Sequence, residues 1–172
     1  LARQFGGEII SADSRQIYRG LDIGSGKITK REMRDIPHHL LDVASPRRKF
    51  TVAQYQKFAR LAMQDIISRG KVPIICGGTG FYIDALLGRV TIPSVPPNAK
   101  LRRQLEKLDN RQLFQKLERL DSERAKNIDR HNCRRLIRAI EVATVLNTRC
   151  LTICSTPSVA LWKCLKIGIW IE

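Results

Sequence analysis

The chain has 172 residues, 43% of them hydrophobic, and carries 31 Lys and Arg against 16 Asp and Glu, a formal net charge of +15. That length suits one ordinary core, or a core with a small appendage. No apolar run approaches the roughly 20 residues that span a bilayer, and no charged-then-apolar leader opens the chain, so a cytoplasmic protein without membrane attachment is expected.

Leu1, Ala2 and Phe5 have helical spacing that ends at Gly6, so the chain reads as cut rather than started. Glu8 to Ser11 is a short β-prone run entered from Gly6 and Gly7, as a buried strand would be. Asp13 follows where the chain leaves that strand, and ligands of open α/β sheets sit at the carboxyl edge. A carboxylate there can act as a base, with Ser14, Arg15 and Gln16 beside it to hydrogen-bond or meet phosphate. A plain loop capped by Asp13 is the alternative. Gly24-Ser25-Gly26-Lys27 is not a phosphate loop, because Leu21 and Ile28 stand where that motif needs Gly and Ser or Thr.

Thr29 to Ile36 can form a short polar helix stopped by Pro37, and His38 to Val43 reads as a second strand. Adjacent histidines on a strand face opposite ways and cannot share one metal, which favours a hydrogen-bonding role. Thr51 caps a predicted helix from Val52 to Arg69. Val52, Tyr55, Phe58, Ala59, Ala62, Met63, Ile66 and Ile67 form its apolar face, and Gly70 ends it.

Lys71 to Cys76 is an apolar strand running into Gly77-Gly78-Thr79-Gly80. Strand, glycine-rich turn and helix can bring backbone amides up to a phosphate, or can be a tight turn only. Pro93, Pro96 and Pro97 lie in a linker, after which the pattern is helical: 100–108, 111–120, with Asp121 as a cap, 122–128 and 133–146. Between Asn98 and Arg149 fourteen Lys and Arg face seven Asp and Glu, making this the more basic stretch per residue. Nucleic acid is the partner such a field favours; a solvated basic face is the alternative. Arg134, Arg135 and Arg138 recur at i, i+1 and i+4, so at least two share a helix face, unless they pair internally with acids such as Glu141. Cys164 to Ile171 reads as a strand returning to the sheet. The five cysteines show no zinc spacing and are expected to be reduced, mostly packing thiols, with no structural metal.

Four ordered blocks carry a resemblance: Ile10 to Tyr18 with Asp22-Ile23-Gly24, Pro37 to Asp42, Gly77 to Tyr82, and Arg134 to Glu141. Together they resemble the signatures of the tRNA dimethylallyltransferases, also called tRNA isopentenyltransferases, over nearly the whole chain, with a weaker match between Asn147 and Trp162. The resemblance implies an α/β fold: a mostly parallel sheet with flanking helices, phosphate-loop NTPase-like, interrupted by a small helical insertion. It divides the chain into a partial core at 1–96, a tRNA-binding insertion at 97–162 and a return strand at 163–172. It implies transfer of a dimethylallyl group from its diphosphate to the exocyclic N6 amine of the adenosine 3′ of a tRNA anticodon. Asp13 is then the catalytic base. Contacts to the anticodon stem-loop fall on Asp13, Ser14, Arg15, Gln16, Thr79, Arg102, Arg134, Arg135, Leu136, Ile137 and Arg138. Diphosphate contacts fall on Lys27, Gly77 and Gly78.

The resemblance further implies Mg2+, for which no protein ligand is assigned, and a monomer. The phosphate loop of such enzymes precedes the strand holding Glu8, so this stretch alone is expected to be inactive. Two rival readings remain. A small-molecule kinase relative built on the same sheet would have no use for a basic helical insertion, and a non-catalytic RNA-binding remnant would keep that insertion without turnover.

Overall fold

The computed structural model describes residues 1–146 and residue 165. A single turn, α1 (Ala2–Phe5), leads through Gly6 into strand β1 (Gly7–Ser11). Gly6 has a φ of 59°, the left-handed conformation that glycine adopts without a β-carbon clash. β1 lies at the centre of a parallel sheet of order β2-β1-β3, with β2 at His38–His39 and β3 at Val72–Cys76. A central parallel strand is covered on both faces, which is why the Glu-Ile-Ile-Ser run does not alternate and why Ile10 is fully buried. Because Ser11 is in register with Cys76, the segments after β1 and β3 emerge side by side.

β2 is shorter than the 38–43 strand read from the sequence. Leu40 and Asp42 have φ values of 67° and 56°, which no extended strand accommodates. The turn buries Leu40 in the core and sends the Asp42 carboxylate to Lys27. Before it, α2 (Lys30–Met33) begins with a Thr29–Glu32 capping box. Left-handed Arg34 and Asp35 turn the chain out before Pro37.

α3 (Val52–Ser68) starts with a second capping box, Thr51–Gln54. It buries Tyr55, Ala59, Met63 and Ile66, a narrower stripe than the sequence suggested, since Phe58 and Ile67 stay exposed. Gly70 ends it at a φ of 70°. α4 (Gly80–Leu86) packs against α3 through the Tyr55 and Tyr82 rings, stacked with centroids 4.1 Å apart. These side chains close one core with Ile10, Ala12, Ile17 and Leu40.

Two compact units are distinguished, one up to Val90 and the other beginning at Thr91. The second contains α5 (Ala99–Leu105), α6 (Asn110–Leu120), α7 (Ser122–Lys126) and α8 (Cys133–Leu146). Asn98, Asp109 and Asp121 cap the first three of these helices. Leu105, Leu113, Leu117, Leu136, Ile137 and Ile140 make its core. Residues 91–96 group with these helices because Val95 packs with Val142 and its carbonyl accepts from Arg138. The return strand at 163–172, and Cys150, Cys154 and Cys164, lie outside the described residues. Both described cysteines, Cys76 and Cys133, are free and exposed, so neither of these two serves packing.

Candidate active site

The site grows from the carboxyl edge of β1 and β3. Ala12 donates its N–H to the Cys76 carbonyl (2.7 Å), and its own carbonyl accepts from Thr79 N–H (3.0 Å). Gly77 lies so close that a β-carbon there would overlap the Ala12 carbonyl group. The first glycine of the turn thus serves backbone-on-backbone packing, and the Thr79 amide is spent on protein. The Thr79 hydroxyl then accepts from Ser14 N–H at 3.0 Å, so the two loops are clipped together.

Asp13 stands between these contacts, half-buried. Its Oδ1 accepts from the amides of Arg15 (2.7 Å) and Gln16 (3.4 Å), an Asx turn that fixes the carboxylate plane. Oδ2 has no hydrogen-bond partner among the described residues. The Gln16 side-chain amide reaches the Gly26 carbonyl (3.0 Å), binding the 20–26 loop to the site. The structure therefore brings Asp13, Ser14, Gln16, Gly77 and Thr79 together. Arg15 is exposed beside them, as is Gly78, which has open space around it.

Lys27 is placed differently from what a diphosphate ligand requires. Its ammonium, with the side chain 5% exposed, donates to Tyr18 O (2.7 Å), Asp22 Oδ1 (2.7 Å) and Asp42 Oδ1 (2.6 Å). Burial alone would lower its pKa, and the hydrogen bonds to Asp22 and Asp42 outweigh that and raise it. An ammonium has three N–H groups, and all three are engaged within the protein.

In the helical unit Arg102 and Arg138 are drawn inward to Glu141, which is fully buried. Its carboxylate accepts from Asn98 N–H (2.6 Å), Arg102 Nε (3.0 Å) and Nη2 (2.7 Å), and Arg138 Nη1 (2.5 Å). Burial alone would raise the Glu141 pKa, but the hydrogen bonds from Arg102, the Asn98 amide and Arg138 hold it down to about 2. Leu136 and Ile137 put their side chains into the helical core, which leaves only their backbone for the RNA contacts expected of them. Arg134 and Arg135 are exposed and make no ion pair among the described residues.

One cluster was missed from sequence. Glu8 in β1 is 1% exposed, and both carboxylate oxygens are paired: with Arg69, with Lys71 Nζ (3.0 Å) and with His39 Nε2 (2.7 Å). The Arg69 guanidinium, acting against the penalty of burial and joined by His39 and Lys71, holds its carboxyl well below the usual range. A charged residue within a central strand signals such a cluster, because it needs buried partners. His38 turns the other way, its Nδ1 2.8 Å from the Ile36 carbonyl, so the two histidines do diverge. Among the described residues no three His, Cys, Asp or Glu gather as a cation site. Mg2+, which takes one or two protein carboxylates and completes its shell with water and substrate phosphates, has no all-protein cage among the described residues.

Three parallel strands flanked by helices, with a carboxylate and a glycine-rich turn meeting at their carboxyl edge, define an α/β protein of the phosphate-loop NTPase-like class. A profile of the IPP transferase family matches residues 16–171. The chain is 48% identical over 162 residues to the tRNA dimethylallyltransferase of Exiguobacterium sp., covering 92% of this chain and 51% of that one. It is 42% identical over 173 residues to the tRNA dimethylallyltransferase of Thermomicrobium roseum, covering 98% and 52%. Among solved structures it resembles the full-length tRNA isopentenylpyrophosphate transferase of Bacillus halodurans, with a TM-score of 0.53, 38% identity and coverage of 83% and 48%. A eukaryotic dimethylallyltransferase acting on tRNA superposes with a TM-score of 0.70 at 25% identity, covering 85% of this chain and 39% of that one. The chain belongs to the IPP transferase family, that of the tRNA dimethylallyltransferases, and spans about half the length of the curated relatives it matches. No described helix is long and apolar enough to cross a membrane.

Proposed function

We propose that this chain supplies the acceptor half of a prenyl transfer, in which the N6 amine of an adenosine in a tRNA anticodon loop attacks dimethylallyl diphosphate. The nitrogen–carbon bond forms, the carbon–oxygen bond to diphosphate breaks, and one amine proton passes to Asp13 Oδ2. Adenine's amine is a poor nucleophile because its lone pair is delocalised into the ring. A positioned base that removes the proton as the bond forms is worth about 10²–10⁴-fold in rate. The observation that carries this reading is the asymmetry of Asp13, with Oδ1 fixed by two amides and Oδ2 without a partner among the described residues, at the sheet edge where substrates enter.

Ser14, Arg15, Gln16 and Thr79 line the same edge and are assigned to the flipped nucleotide, whose extraction from its stack costs a few kcal/mol. The Gly77-Gly78 turn is assigned to the side facing the diphosphate. Arg134 and Arg135 are assigned to backbone phosphates of the anticodon stem-loop. No step is routed through Mg2+. The test is Asp13→Asn in a full-length family enzyme carrying this sequence, assayed by single-turnover transfer to an anticodon stem-loop. Transfer should be lost while RNA affinity stays within about threefold, since binding is spread over many phosphates. Near-normal chemistry in the Asn variant would reduce Asp13 to a positioning group and move the base elsewhere.

A further inference from the structure

We propose that Lys27 is a positioning residue for the reaction at Asp13, acting by fixing the Asp13–Tyr18 segment and never touching the diphosphate. The inference rests on the reading of Asp13 as the base.

The geometry runs in short links. Lys27 holds the Tyr18 carbonyl, which closes the Asp13–Tyr18 segment, and it holds the Asp42 carboxylate. Asp42 in turn donates its N–H to the Gln16 carbonyl (3.3 Å), and its own carbonyl accepts from Arg19 Nε (2.8 Å). Gln16 completes the circuit, its side chain on Gly26, the neighbour of Lys27, and its backbone N–H on Asp13 Oδ1. The two amides that orient the Asp13 carboxylate therefore belong to Gln16, which contacts the neighbour of Lys27, and to Arg15 beside it. With three N–H groups given to three acceptors, the ammonium has no donor left for a ligand.

Placement argues for positioning over bulk stability. The ion cluster ties irregular segments together at the surface, where its carboxylate partners Asp22 and Asp42 have side chains 67% and 50% exposed. Desolvating an ammonium offsets much of what its pairs contribute, so a buried ion pair is weak evidence for stability. It does impose one arrangement on the 18–27 segment and the turn holding Asp42. Asp42, a non-glycine residue at a φ of 56°, is held in a sparsely populated conformation by these contacts, a recurrent feature of segments whose geometry matters to a site.

The experiment uses Lys27→Met, Lys27→Arg and Asp42→Asn in a full-length family enzyme carrying this sequence, with Asp13→Asn alongside. Lys27→Met should slow the single-turnover rate by about 10- to 100-fold, the scale of a misplacement near 1 Å. Its KM for dimethylallyl diphosphate should stay within about threefold, as expected when only transition-state geometry is lost. Lys27→Arg should recover part of the rate, because its planar fork keeps the charge but cannot match three divergent acceptors. Asp42→Asn should fall between Lys27→Met and the parent.

On the chain itself, Lys27→Met should speed amide hydrogen exchange at Ser14 to Tyr18 and leave α3 unaffected. A KM raised tenfold or more at an unchanged rate would make Lys27 a diphosphate ligand and overturn the proposal. So would unchanged kinetics with a lowered melting temperature, which would leave a stabilising role only. Should Lys27→Met fail to fold, Lys27→Arg and Asp42→Asn carry the same rate-against-KM comparison. Retained chemistry in Asp13→Asn would refute the base assignment instead, and slower transfer in Lys27→Met with unaltered loop exchange would refute the positioning route alone.

Discussion

β1 holds a carboxylate near its amino end and is followed by another just past its carboxyl end, and the two are bound in opposite ways. Glu8 is buried and cross-linked by Arg69, Lys71 and His39. Asp13 is half-buried, held on one oxygen by neutral amides, and has its other oxygen without a partner among the described residues. Cations around a carboxylate lower its basicity and occupy its lone pairs, which suits a permanent fastening. Amide donors orient a carboxylate while leaving an oxygen for a proton. Glu141 in the helical unit repeats the fastening mode, with Arg102 and Arg138 in place of Arg69 and Lys71.

The largest effect should come from exchanging charge for neutrality at the two ends of β1. Asp13→Asn should cost about 10²–10⁴-fold in transfer rate with little change in melting temperature. Glu8→Gln should lower the melting temperature and leave the rate per folded molecule intact. Slowed chemistry in Glu8→Gln without loss of stability would erase the distinction.

Next in size is Glu141→Gln, which strands two guanidiniums beside the helical core and should destabilise that unit by about 2–3 kcal/mol in urea titration. The same residue sets an acid limit. Its carboxyl is held at about 2 in the folded state against an ordinary 4.5, so the unfolded chain takes up the proton first as pH falls. The stability it contributes is full above pH 4.5 and is lost between there and about 2. Urea midpoints of the parent should fall through that window, and those of Glu141→Gln should fall less.

Arg134→Glu with Arg135→Glu tests whether the cations left outward differ from those turned inward. Stability should change by no more than about 0.5 kcal/mol per site. The salt slope of stem-loop binding should shrink by about 0.7–0.9 per lost contact. An unchanged slope would sever these arginines from RNA. The most local effect is expected from Thr79→Val, which leaves the Ser14 amide without its acceptor and should cost about 1 kcal/mol, with Thr79→Ser restoring it.

Much of this arrangement was legible from residue pattern. The capped helix at 52–68, the helix at 133–146 and the strand-to-Asp13 transition follow from periodicity and caps. What escaped depended on contacts across the sequence. Glu8 meets partners 31 and 61 residues away, and nothing local announces them. The left-handed turn at Leu40 and Asp42 is invisible in residue type, because neither is a glycine. Arg138 and Arg134 are chemically identical, and only helix phase, three residues from Glu141, sends the first inward. Lys27 resembled a phosphate ligand because nothing in residue type shows that Tyr18, Asp22 and, past α2, Asp42 fill its donors.

Gly77 carries a consequence for how this sequence can drift. Most crowded positions in a protein admit compensation, since a neighbour's side chain can shrink when another grows. At Gly77 the obstacle is the Ala12 backbone carbonyl, which no substitution can make smaller. A variant library selected for folding should therefore find no second-site suppressor for a side chain at 77, while Gly78, with open space around it, folds with alanine.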